Sequence, residues 1–226
     1  MEHPVIYFLL PFALSAQTLQ KWSHVFLAIT VTLILTLLSF TATRRLEMIP
    51  KGKQNVFELM ISMLLDFMGD VMGHEARRFF PLVGTLAFFI LTSNLLGLIP
   101  GFDSPTGNLN TTASCALVVF FSTHYYGVKK HGIKYVKHFT GPIWWLSPLI
   151  MPIEIISHLV RPVSLSIRLF GNIFGGHLVL GSFAALVPLL VPLPMMVMEI
   201  FVAFVQTIVF IMLSMVYISL SVEEAH

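Results

Sequence analysis

The chain has 226 residues, 56% of them hydrophobic and only 11% charged, with a mean hydropathy of +0.86; a soluble domain carries roughly 25% charged residues. Such a composition cannot coat a water-exposed surface, so the chain is read as an integral membrane protein. A net charge of +2 excludes a phosphate-neutralising role on nucleic acid. The single cysteine, Cys115, excludes an internal disulfide framework and a cysteine-rich metal site, and is read as a packing residue.

The first 20 residues look like a secretory signal with a small-residue end at 13–16, but Glu2 and His3 stand where Lys or Arg belongs. An uncleaved N-terminus at the membrane interface is expected. Residues 22–43 carry no charge and are long enough to cross a hydrocarbon core, which needs about 20 residues. Arg44, Arg45, Lys51 and Lys53 follow, a basic cluster that belongs on the cytoplasmic side and puts the N-terminus outside. Between 56 and 72, Glu58, Ser62, Asp66 and Asp70 fall within about 120° on a helical wheel. That pattern predicts an amphipathic helix lying in the interface, its acidic face suited to a protein partner.

Two further spans are expected at 79–100 and 111–126, joined by a Gly, Pro, Asn and Asp-rich loop. Lys129, Lys130, Lys134 and Lys137 then form a second basic cluster, two spans after the first and so on the same side. The apolar runs 143–187 and 189–221 would measure about 68 Å and 50 Å as helices, against a membrane core of about 30 Å. Prolines 148, 152 and 162 permit breaks early in the first run, and Pro188, Pro192 and Pro194 mark the turn between the runs. The expected fold is therefore all-α, with about five membrane helices plus one interfacial helix. The last two are long, tilted and paired as a hairpin that ends on the cytoplasmic side.

Within 143–187, Glu154, His158, Arg161, Arg168 and Asn172 fall within about 80° on the wheel and make one polar stripe. Glu154, His158 and Arg161 fit either a functional role or simple pairing and snorkelling near headgroups. Arg168 is the deepest basic residue; an arginine at the bilayer centre costs about 2.5–3.5 kcal/mol on insertion scales, so it must face protein or water. Gly171 and Gly175 form a GxxxG pair, which suits close approach of a helix and equally suits internal packing. His177 lies about 180° from Arg168 and cannot face the same partner unless the helix twists. In the last helix Glu199 and Gln206 share a face. Antiparallel pairing about the proline turn brings His177 and Glu199 to similar depth, where imidazole and carboxylate suit a proton relay or a structural hydrogen bond.

Soluble-type catalysis has little footing. His74 and Glu75 start an HExxH pattern, but Arg78 stands at the second histidine, and neither a nucleophile elbow nor a P-loop is present. No cofactor or resident metal is expected, and the chain is read as non-catalytic. A self-contained secondary transporter or ion channel is the alternative, although no internal repeat is visible.

The run PVSLSIRLFGNIFGGHLVL at 162–180 resembles the signature of subunit a of the F-type ATP synthase. SNLLGLIPG at 93–101, the segment 199–206 ending in Gln206, and the VYISLSVEEAH tail extend the likeness over nearly the whole chain. The resemblance implies the membrane stator of a bacterial inner-membrane rotary synthase, beside a c-subunit ring, a b-subunit peripheral stalk and the rest of the complex. It implies two half-channels carrying H⁺ or Na⁺, with Arg168 as the essential charge between them. Asn172, Gln206 and Asn94 match further polar positions of the family, and Glu154 and His158 would line the cytoplasmic exit. One departure stands out: many members have an acid at the position of His177 and a histidine at that of Glu199. The pair is present with its residues exchanged.

Overall fold

A computed structural model of the chain describes residues 16–44, 52–99, 102–132, 147–186 and 192–223. The described residues form six α-helices: α1 Ala16–Thr43, α2 Lys53–Met72, α3 Ala76–Leu96, α4 Leu109–His131, α5 Ser147–Leu186 and α6 Pro192–Glu223. Short 3-10 turns at Gly73–Glu75 and Pro105–Gly107 complete them. Residues 1–15, where an interfacial segment is expected, and half of each basic cluster (Arg45, Lys51, Lys134 and Lys137) lie outside the described residues.

Among the described residues, four stretches are long and apolar enough to cross a membrane: Trp22–Thr43, Gln54–Leu96, Ile150–Ala185 and Leu193–Val222. The second covers both α2 and α3, which Gly73, at φ 59°, separates by a turn that L residues rarely adopt. Glu58, Ser62, Asp66 and Asp70 share an exposed face of α2, while Met68 and Met72 on the opposite side pack against Phe79, Val83, Met215 and Ile218. The 111–126 span is α4, 23 residues long. It is not among those four stretches, and its Leu117, Val118, Phe121 and Tyr125 are exposed while its Cys115, Ala116 and Val119 are buried. Thr112 and Thr123 are buried, and their hydroxyls bond back to the Leu109 and Val119 carbonyls.

The early prolines do not break the expected long helix, and two of the later ones lie in a helix rather than in the turn. α5 runs unbroken for 40 residues through Pro152 and Pro162, about 60 Å at 1.5 Å per residue. Each proline removes one backbone donor, a loss that neighbouring helices make tolerable in a membrane protein. Pro192 and Pro194 belong to the first turn of α6 rather than to the connection before it, where a missing N–H costs no helical bond. α6 spans 32 residues, about 48 Å. Both helices exceed the roughly 30 Å core, so they fit only with strong tilt or with ends beyond it.

α4 packs on α5 and α6, α3 on α6, and α5 on α6. Their shared core joins Ile90 of α3, Ala116 and Val119 of α4, Leu165, Leu169 and Ile173 of α5, and Phe210 of α6. α1 stands to the side, burying Leu27 and Val31 while Leu33, Leu37 and Phe40 face outward. In water that face would be a large apolar patch; in a bilayer it meets lipid tails.

Candidate functional site

The site is built from the end of α3, the loop after it, and the middle of the α5–α6 pair. Asn94 sits three residues before the turn at Gly97, only 3% exposed. The 102–108 loop folds back over it. Ser104 Oγ donates to the Ser93 carbonyl at 2.9 Å, the Ser104 and Thr106 hydroxyls are 2.6 Å apart, and Thr106 Oγ1 donates to Asn94 Oδ1 at 2.6 Å. Asn108 then caps α4, its side chain accepting from the Asn110 N–H at 2.9 Å. The loop is thus held by its own hydroxyls on top of α3. Asn94 Nδ2 is shielded and has no hydrogen-bond partner among the described residues.

Across from Asn94, two glycines make room for the two ionisable side chains. The imidazole of His177 lies against Gly97, where an added Cβ would come within 3.0 Å of Nε2. The carboxylate of Glu199 lies against Gly176, where an added Cβ would come within 2.7 Å of Oε1. His177 and Glu199 stand within electrostatic reach of each other. Both Glu199 oxygens are shielded and have no hydrogen-bond partner among the described residues.

One turn away, Asn172 Nδ2 donates to Gln206 Oε1, tying α5 to α6. Gln206 is 4% exposed, and its Nε2 has no partner among the described residues. Asn94, Asn172, His177 and Glu199 line one cavity of about 280 Å³, walled otherwise by apolar side chains such as Met195 and Met198. Shielded polar atoms without partners are costly unless something occupies the space beside them. The cavity therefore suits water and an exchangeable proton.

Arg168 is elsewhere. It projects from the exposed face of α5, about one turn before Asn172 and on the far side from His177. Ser166 beside it turns inward, its hydroxyl 3.2 Å from that of Thr112. An exposed guanidinium in the middle of a membrane helix needs a facing partner.

Glu154 and His158 form a separate cluster further toward the start of α5. His158 Nε2 lies 3.2 Å from Glu154 Oε1, and the His158 ring meets that of His124 on α4 at 5.4 Å between centroids. The Arg161 guanidinium sits over the Tyr217 ring of α6 at 5.2 Å. The predicted polar stripe therefore divides: His158 is buried against α4, whereas Arg168 is exposed. Ten residues of a real helix packed on two neighbours do not keep one side to a single partner.

Sequence reasoning passed over Ser104, Thr106, Gly97 and His124, and took Gly176 only as one of the small residues that keep a side of the helix thin. The first two were legible only as turn formers, and the glycines only as helix breakers or packing residues. His124 carried the available signal, a lone imidazole within an expected span.

The fold and site define a multi-pass, all-helical membrane protein with half-buried ionisable groups where the last two helices pair and an exposed arginine on the outer face of one of them. The family model of the ATP synthase A chain matches residues 24–219. The chain is 57% identical to ATP synthase subunit a of Trichlorobacter lovleyi, over 87% of this chain and 86% of that one. It is 50% identical to that of Geobacter sulfurreducens over the full length of both, and 55% identical to ATP synthase subunit a 1 of Syntrophotalea carbinolica over 90% and 87%. The chain belongs to the ATP synthase A chain family.

Proposed function

We propose that the chain is the ion-translocating stator of an F-type ATP synthase in a bacterial inner membrane, with its N-terminus outside and its C-terminus cytoplasmic. The observation that carries this reading is the division of α5: Arg168 faces outward, while His177 and Asn172 line a cavity shared with Glu199 and Asn94.

Protons entering from outside pass through that cavity by way of Asn94, His177 and Glu199, with Asn172 and Gln206 closing its inner end. They load a carboxylate on the ring of c subunits, which α5 faces through Arg168. After rotation they leave past Glu154 and His158. Arg168 keeps its proton and so cannot relay one; its fixed charge favours the ionised form of a passing carboxylate and blocks a direct leak. The b-subunit stalk holds the chain against the torque, and the rest of the complex binds nucleotide. We read the translocated ion as H⁺ rather than Na⁺ on the imidazole and carboxylate that line the cavity.

Arg168→Ala tests the gate in the reconstituted enzyme. Loss of coupled ATP synthesis is expected, and retained ATP-driven proton pumping would sink the assignment. Replacing Na⁺ with K⁺ should leave pumping unchanged; loss of pumping without Na⁺ would overturn the choice of ion.

A further inference from the structure

The mechanism above draws on α3 to α6 and gives α1 no task. Among its described apolar side chains α1 buries only Leu27, Val31 and Ala42. Beside it α1, α2 and α3 enclose an open groove of about 650 Å³. Thr32, Thr36 and Thr43 line it from α1, and Pro81, Gly84 and Phe88 from α3; each set falls within about 60° on a helical wheel. The threonine hydroxyls are spent on their own helices. Thr32, Thr36 and Thr43 each donate to the carbonyl four residues earlier at 2.8 Å, and Thr85 donates to that of Pro81 at 2.6 Å. Methyl groups and rings therefore line the groove.

An apolar groove between spans is filled either by lipid hydrocarbon or by another helix, and the volume separates them. Spread along the roughly 16 Å between Thr32 and Thr43, it gives a mean cross-section of about 40 Å², whereas a helix about 10–12 Å across needs about 80–110 Å². Acyl chains fit and a helix does not.

The headgroup end is basic. Exposed Arg44 follows Thr43, where the apolar span ends. Exposed Arg77 lies one turn before Pro81 and within about 60° of Pro81, Gly84 and Phe88, on the groove face of α3. It pairs with no carboxylate among the described residues, whereas its neighbour Arg78 is held by Glu75 at 3.3 Å and by the Phe79 and Tyr126 rings. The acidic stripe of α2 turns aside: Glu58, its nearest member, lies about 60° around the helix from Ile61 of the groove wall and accepts from Gln54 Nε2 at 2.7 Å.

We propose that the α1–α3 groove binds an anionic phospholipid, its acyl chain in the groove and its phosphate on Arg77 and Arg44, and that this lipid holds α1 against α3. Guanidinium suits phosphate through paired N–H donors. The proposal rests on the reading that α2 does not cross the membrane, which puts both arginines on one side, and is independent of the ion path.

The test uses the whole synthase in phosphatidylcholine nanodiscs containing a trace of phosphatidylglycerol with a diazirine on one acyl chain. Illumination should label residues 32–43 and 80–89. Excess plain phosphatidylglycerol should displace the label, and inorganic phosphate should not. Arg77→Gln is expected to lower labelling about fivefold, the effect of one cation lost at the headgroup; Arg44→Gln carries this arm if the first variant does not assemble. Thr36→Trp fills the groove, keeps both arginines and should also lower labelling. Equal labelling by a diazirine phosphatidylcholine, or labelling indifferent to these substitutions, would overturn the proposal. So would a photoreactive group attached at Thr36→Cys, in a Cys115→Ala background, that captures a helix of another subunit instead of lipid. In the same background, reaction of Arg44→Cys and Arg77→Cys with an impermeant thiol reagent from opposite faces removes the topology and the site with it. Reaction from one face without selectivity for the anionic lipid removes the site alone.

Discussion

The carboxylate of Glu199 occupies the space that a side chain on Gly176 would need: an added Cβ would stand 2.7 Å from Oε1 and 3.5 Å from both Cγ and Cδ. Helix α5 thus specifies the position of an acid on α6 by having nothing there. Gly176→Ala forces Glu199 aside, and the atom that must move is the far end of a flexible side chain. Stability should change little, whereas passive proton flux through the membrane sector should fall about tenfold or more, since an ångström of misplacement at a reacting group is costly. Flux is measured on vesicles stripped of the catalytic head, with the amount of assembled complex as the control. Wild-type flux would mean that Glu199 need not stand where it does.

Gly97 poses the opposite case. A Cβ there would meet Ser104 Cβ at 2.6 Å as well as His177 Nε2 at 3.0 Å. Ser104 cannot swing away, because its hydroxyl is held by the Ser93 carbonyl and by Thr106. Gly97→Ala should therefore destabilise the folded chain, by about 1–3 kcal/mol as for other overpacked sites. A lowered unfolding temperature of the purified complex would register it, and an unchanged one would show that the loop shifts freely.

This contrast marks what the sequence could and could not convey. The apolar runs, the basic clusters and the proline positions suffice for an all-helical membrane chain with two long final helices, because length and polarity alone decide what fits a bilayer. Antiparallel counting about the proline turn was enough to place His177 and Glu199 at one depth. The fate of the polar stripe was not legible, since whether His158 or Arg168 is buried depends on where α4 lies across α5. Nor could the hydroxyl chain from Ser93 to Asn94 be read, because it is made by a loop folding back, and turn residues announce a turn without its destination.

The hydroxyl chain yields a third expectation. Thr106 is fully buried, and its hydroxyl is the donor to Asn94 Oδ1 at 2.6 Å. Thr106→Val preserves the shape but leaves a shielded amide oxygen unpaired, which costs about 1–3 kcal/mol. Thr106→Ser keeps the donor and loses one methyl group. The valine variant should unfold at lower temperature and conduct protons more slowly, with serine restoring most of both. Equal behaviour of the two variants would show that Asn94 is positioned by packing alone.

The exchanged pair provides the most direct probe of the cavity. His177 and Glu199 rest against different glycines, Gly97 and Gly176, yet line the same space of about 280 Å³. Each alone in the wrong place creates a like pair: His177→Glu sets two carboxylates within reach of each other, and Glu199→His sets two imidazoles. Either single change should reduce ATP-driven pumping strongly, by about tenfold if the pair is coupled by 1.4 kcal/mol. Making both together restores one acid and one base to the cavity in the order that the resemblance implies for many relatives. The double variant should recover activity above either single variant. Pumping rates normalised to assembled enzyme give the coupling energy directly, and equal losses in all three variants would mean that the two side chains do not act as a relay.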